Sequence, residues 1–169
     1  MKYLLLCLLY LSSVYASNIY LLNHELSSLE WIGNKITGSH NGNIQFLSGE
    51  VNLDDKRILS GNLVVDMRTI ENSDISSEKY KGYLVNHLKS EDFFNVDSFP
   101  NAHLVIIEYI DNTEQSRKLG FNTILRCDLT IKGITHKIDI PIKLDVYNSH
   151  AIASGTIDVD RTLYNIKYK

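Results

Sequence analysis

The chain is poor in the residues that staple, ligate or bind charged polymers. It has two cysteines, Cys7 and Cys127, and two prolines. Cys7 falls in an N-terminal stretch with the pattern of a leader, which leaves Cys127 alone in the remainder. No intrachain disulfide is then available, and packing has to hold the fold together. There is no run of Lys or Arg, and the formal net charge of -3 with a pI near 6.0 excludes a basic stripe for nucleic acid. The six histidines, His24, His40, His87, His103, His136 and His150, form no His-x-His or His-Glu-x-x-His pattern, and no Cys-x-x-Cys occurs, so no metal signature is written in the chain. A Gly-x-Ser-x-Gly nucleophile elbow is also missing. No apolar run approaches the ~20 residues that span a bilayer as a helix.

What is present begins with Met1–Ala16, MKYLLLCLLYLSSVYA. Lys2, the apolar run Leu4–Leu11 and the small or polar residues ending in Val14-Tyr15-Ala16 read as a secretory signal peptide cleaved after Ala16. This implies residues 1–16 as leader, residues 17–169 as a single domain, and a periplasmic or secreted location. The alternative is a retained anchor or a buried N-terminal strand. With 44% apolar residues, the domain has material for one core.

Most of the rest alternates with a period of two. Short pieces at Ile19–Leu22 and Leu29–Ile32 precede the glycine-punctuated segment GNKITGSHNG, where turns, bulges or close backbone approach are expected. Alternation resumes over Asn43–Leu53 and slips phase at Leu47–Gly49, as at a β-bulge. Leu59–Ile70, His103–Ile110, Phe121–Ile131, Ile134–Tyr147 and Ala151–Asp160 are further strands, with Lys132-Gly133 a tight turn and Pro141 an edge or bulge position. Seven or eight strands with one helical interruption make an all-β antiparallel barrel or sandwich, whose interior is either filled or holds a small ligand.

The interruption is Gly82–Pro100, GYLVNHLKSEDFFNVDSFP. Leu84 and Leu88 at i, i+4 predict a helix over Glu78–Lys89, and Ser90 followed by Glu91 and Asp92 predicts a second, N-capped turn carrying Phe93 and Phe94. The apolar cluster serves either as core packing or as a lid.

Several pieces, taken in order, resemble the YceI-like family: Leu29-Glu30-Trp31 with Lys35–Gly42, Val65-Asp66-Met67, His87–Phe94, Leu129–Thr135 and Asp160-Arg161-Thr162. The resemblance spans nearly all of the chain after the leader, and His87–Phe94 is its most specific block. It implies an exported, lipocalin-like antiparallel β-barrel with a short helical insertion that binds a polyisoprenoid or other long-chain amphiphile. It further implies a terminal strand beyond the Arg-Thr element. Without that strand, an edge beside Ile157–Asp160 stays open to a partner strand, and a homodimer through it is one outcome.

On this reading the ligand-binding wall comprises Trp31, Ile44, Phe46, Leu63, Val65, Leu84, His87, Leu88, Phe93, Phe94 and Leu125. No catalytic residue, metal or cofactor is expected, only a bound isoprenoid or fatty-acyl lipid. Two rivals stay open: a small enzyme using His40, His87 or Asp92 at the cavity mouth, or a structural module acting through an exposed strand edge. Cys127 is read as a small core or wall residue, because its neighbour Arg126 points to the opposite sheet face. Asp66-Met67-Arg68 and Asp160-Arg161 are either structural ion pairs or a polar rim.

Overall fold

The structure, a computed structural model, describes residues 2–13, 19–35, 38–54, 56–110 and 114–167. Nine strands are described: β1 (Lys2–Ser13), β2 (Ile19–Leu22), β3 (Ser28–Lys35), β4 (Gly38–Asp54), β5 (Arg57–Asp66), β6 (Asn101–Ile110), β7 (Thr123–Ile131), β8 (Ile134–Val146) and β9 (His150–Asp160). All neighbouring pairs are antiparallel, and β1 pairs with β9 to close the sheet.

The ring has eight positions rather than nine. Along β1, Tyr3–Leu8 face β3 and Leu11–Ser13 face β2. On the far side, β4 pairs with both. Strands β2 and β3 are therefore two halves of one broken strand, separated by the loop around Asn23, whose side-chain oxygen accepts from the Glu25 and Leu26 amides.

The segment read as a leader supplies β1. Residues Lys2–Leu5 pair with Asp160–Ile157, so the edge beside Ile157–Asp160 is covered while that segment is present. Closing a sheet on itself removes the edges that would otherwise recruit foreign strands.

Local sequence explains most of the remaining geometry. The phase slip in β4 is a bulge between Phe46 and Ser48, and it leaves Leu47 47% exposed while Ile44 and Val51 stay inside. Lys132 and Gly133 both have positive φ, at 53° and 73°, the two-residue turn whose twist suits a hairpin. Pro141 pairs with Ile124 of β7, but the ladder to β9 begins only at Ile142. Its missing N–H thus falls where β8 has no neighbour on that side, in keeping with the edge expectation.

Helix α1 (Glu78–Lys89) has the expected bounds. The turn after it differs from expectation. Ser90 does not cap a second helix with its side chain: its hydroxyl donates to the His87 carbonyl at 2.8 Å, closing the end of α1, while its own carbonyl accepts from Phe93 and Asn95. A hydroxyl beside exposed terminal carbonyls donates to them as readily as it would accept at a helix start. Strand β5 ends at Asp66, where Met67–Thr69 form a 3-10 turn instead of continuing the strand to Ile70. Helix α2 (Glu114–Lys118) was not foreseen.

Candidate functional site

The interior is lined by the inward faces of all the ring positions and holds two adjoining chambers. One, of about 100 Å³, lies under α1 and is bordered by Trp31, Ile44, Met67, Leu88, Phe94 and Tyr164 among others. The second, of about 110 Å³, is bordered by Cys7, Leu9 and Leu11 of β1, by Phe46, Leu63, Leu125 and Ile142, and by Ala153 and Gly155 of β9. Leu29, Val65, Leu129 and Ile157 border both and form the waist between them.

Of the residues expected to bind ligand, Trp31, Ile44, Leu88 and Phe94 border the chamber under α1, Phe46, Leu63 and Leu125 border the other, and Val65 borders both. Leu84, His87 and Phe93 stand behind that wall. Phe93 is buried between the Phe94 ring, edge-on at 4.8 Å, and the His87 ring at 5.7 Å, with the Arg161 guanidinium 5.7 Å from its centre. Leu84 packs against the same cluster.

The chamber under α1 is built by a glycine. Gly42 on β4 is the Cα partner of Trp31 on β3, and a Cβ there would lie 1.8 Å from the Glu71 carbonyl oxygen. Having no side chain, Gly42 lets the chain after β5 cross directly over it. The Glu71 carbonyl then accepts from Trp31 Nε1 at 2.9 Å, which orients the indole into the interior. Buried Asn72 holds this crossing in place, donating to the Asn41 carbonyl and to Asp74 and accepting from the Ile75 amide. Burial opposes the Asp74 charge, yet the Asn41 N–H, His40 and Asn72 outweigh it and bring the pKa down to about 2. His40 Nδ1 lies 2.8 Å from Asp74 Oδ2. His40 therefore belongs to the clamp over Trp31.

The paired Asp motifs also resolve. Asp66 and Asp160 each end a strand and accept from the backbone N–H two residues on, of Arg68 and Thr162, capping the 3-10 turns Met67–Thr69 and Arg161–Tyr164. The Arg68 guanidinium, as the leading cause, holds the Asp66 carboxyl below its usual range. These turns bring Met67 and Tyr164 to the wall.

Polar chemistry inside the barrel is sparse. Burial pushes both the Cys7 and the Cys127 thiols up to about 12, which keeps them protonated and unreactive. Arg126 lies on the outer face, bonded to Asp139 and Glu108. Asp92 is exposed. Among the described residues no group of three or more His, Cys, Asp or Glu side chains could hold a metal.

Among the wall residues that sequence reasoning did not single out, two groups differ in the signal they left. Ile157 and Val159 share a phase with Ala151, Ala153 and Gly155, so their alternation carried the signal. Tyr164 and Ile166, each 1% exposed, follow the last strand in a stretch without period, and Cys7, Leu9 and Leu11 sit in the segment read as a leader.

A closed antiparallel barrel with an apolar interior and a helix packed beside it defines a lipocalin-like class of fold. Within that class, the YceI-like domain matches residues 20–169, and the chain belongs to the YceI-like family. The crystal structure of Burkholderia cenocepacia BcnA is similar in fold, with a TM-score of 0.61 and 16% identity over 97% of this chain and 83% of that one. Comparison with curated proteins finds no match.

Proposed function

We propose that the protein carries or stores a long-chain amphiphile, isoprenoid or fatty-acyl, with its tail in the two chambers. The observation that carries this reading is the waist: Leu29, Val65, Leu129 and Ile157 are common to both chambers, so one chain can lie along both. Each buried CH₂ is worth about 0.8 kcal/mol, so a tail of a dozen carbons gains roughly 10 kcal/mol before the cost of ordering it. No polar group inside is needed for that gain, and resemblance to the YceI-like family points the same way. The protein acts without catalysis, in the periplasm or outside the cell, on a hydrophobic small molecule and not on nucleic acid.

Protein purified without detergent should release a long-chain lipid on organic extraction, detected by mass spectrometry. Repeated recovery of empty protein, with added fatty acid failing to alter the fluorescence of Trp31, would refute the reading. Trp31 is the chain's single tryptophan and borders a chamber, so its emission reports on occupancy.

A further inference from the structure

The chamber under α1 is bordered by residues between Leu29 and Ile166, all of which lie after the segment read as a leader. A carrier of long-chain amphiphiles draws them from a lipid surface, because apolar tails leave little of such a molecule free in water. We propose that the outward face of the first two turns of α1 seats the protein on an anionic lipid surface, from which a tail passes along the helix into the chamber beneath it. The proposal rests on the lipid-binding reading above.

The face carries two aromatic rings. Tyr80 and Tyr83 are 63% and 60% exposed, and their rings meet edge-on with centroids 6.2 Å apart. Tyrosine suits a membrane–water boundary, since its ring enters the apolar side while its hydroxyl stays among the headgroups. The face is also basic. Helix α1 has Lys79, Lys81 and Lys89 against Glu78 alone, a surplus of two positive charges in a chain whose formal net charge is -3. The Lys79 ammonium lies 5.8 Å from the centre of the Tyr83 ring, and Lys81 is 3.8 Å from Glu78. The exposed carboxylates Glu91 and Asp92 come past the other end of the helix, two turns beyond Tyr83 along the chain. Lipid phosphates complement this set of charges. A stable protein interface needs about 800 Å² from each partner, more than two tyrosines can offer.

The same helix leads inward. Tyr80, Leu84 and Leu88 follow one another at i, i+4 and form one stripe. Exposure falls along it, from Tyr80 through half-buried Leu84 to Leu88, which is 4% exposed and borders the chamber. A tail leaving the lipid at the tyrosines therefore meets an apolar side chain at each turn of the helix down to the chamber wall.

Flotation of protein purified without detergent tests the proposal. Vesicles of phosphatidylglycerol and phosphatidylcholine in equal parts should carry the protein with them, and vesicles of phosphatidylcholine alone should bind it at least about fivefold more weakly. Added salt should weaken the binding. Lys79→Glu should weaken binding to the mixed vesicles by about tenfold, and Tyr80→Ser with Tyr83→Ser by about tenfold as well. Circular dichroism should be unchanged in both, because all three side chains are exposed. Equal binding by the wild type and both variants, or no binding by the wild type, would overturn the docking face. So would a wild-type dimer in light scattering that the tyrosine variant lacks, since the face would then join two copies of the chain. Hexadecanoic acid added from solution separates the two readings. Wild type that takes it up yet ignores the vesicles loses the docking face and keeps its cargo. Wild type that takes up none and yields no lipid on extraction loses the cargo reading, and the docking proposal with it.

Discussion

The two chambers share a waist and little else. The one under α1 adds to its strand residues a set of side chains from irregular chain, Met67, Ile70, Phe94, Tyr164 and Ile166, beside several polar devices. Asp66 and Asp160 cap the two 3-10 turns, Asn72 and Asp74 clamp the crossing over Gly42, and Ser90 closes α1. The second chamber is walled by strands alone, aliphatic on most sides and small on β9. One end thus carries side-chain hydrogen bonds that place its added wall residues, and the other is lined from strand positions alone.

That contrast can be tested by substitution. The largest effect is expected at Phe93→Asp. Because Phe93 lies behind the wall, packed on Phe94 and His87, losing the ring alone costs about 3–5 kcal/mol and the buried charge adds to it. The protein should be recovered unfolded by circular dichroism; a folded barrel that has only lost its ligand would place Phe93 in the cavity instead. Next comes Ile58→Ala at the other end. Ile58 is buried and borders the strand-walled chamber, and about 2–5 kcal/mol of stability should be lost in urea unfolding.

Filling the strand-walled chamber should separate stability from binding. Ala153→Phe overpacks it, at a cost of about 1–3 kcal/mol. The folded protein should then yield less extracted lipid than the wild type, and an unchanged yield would show that the ligand does not reach β9.

The polar clamp predicts a pH effect. Folding lowers the Asp74 pKa from the ordinary 3.8 to about 2, so its contribution is complete above pH 4 and is lost as pH falls toward 2. Asp74→Asn should cost about 1 kcal/mol at pH 7, discounted for solvent at a partly exposed site, and should flatten the acid limb of the stability profile between pH 4 and 2. The smallest effect is expected at Lys137→Ala, whose ion pair with Asp128 is exposed. Its loss should fall below about 0.5 kcal/mol and vanish in high salt.

Legibility followed the same division. Eight of the eleven expected wall residues border a chamber; seven lie on strands or on the α1 face, where inward positions follow from period alone, and Phe94 lies in the turn after α1. Leu84, His87 and Phe93 share the right segment but stand one layer back, a distinction of depth that no period encodes. The role of Gly42 was visible only as a choice among turn, bulge and close approach. Which one applied depended on where the chain after Asp66 crossed, and that path is a tertiary fact.

The sequence by itself determined the strand periods, the bulge beside Ser48, the Lys132-Gly133 turn, the bounds of α1 and the YceI-like resemblance. All of these rest on interactions between residues close in the chain, or on a pattern repeated along it. Only the tertiary structure decided that the ring has eight positions, that Asp74 and His40 clamp Trp31 through Glu71, and that the interior divides at Leu29, Val65, Leu129 and Ile157. It also decided the neighbours of Lys2–Ser13. The same apolar run that reads as a leader also alternates as a strand between β3 and β9, with Leu11, Leu9 and Cys7 opposite Ala151, Ala153 and Gly155.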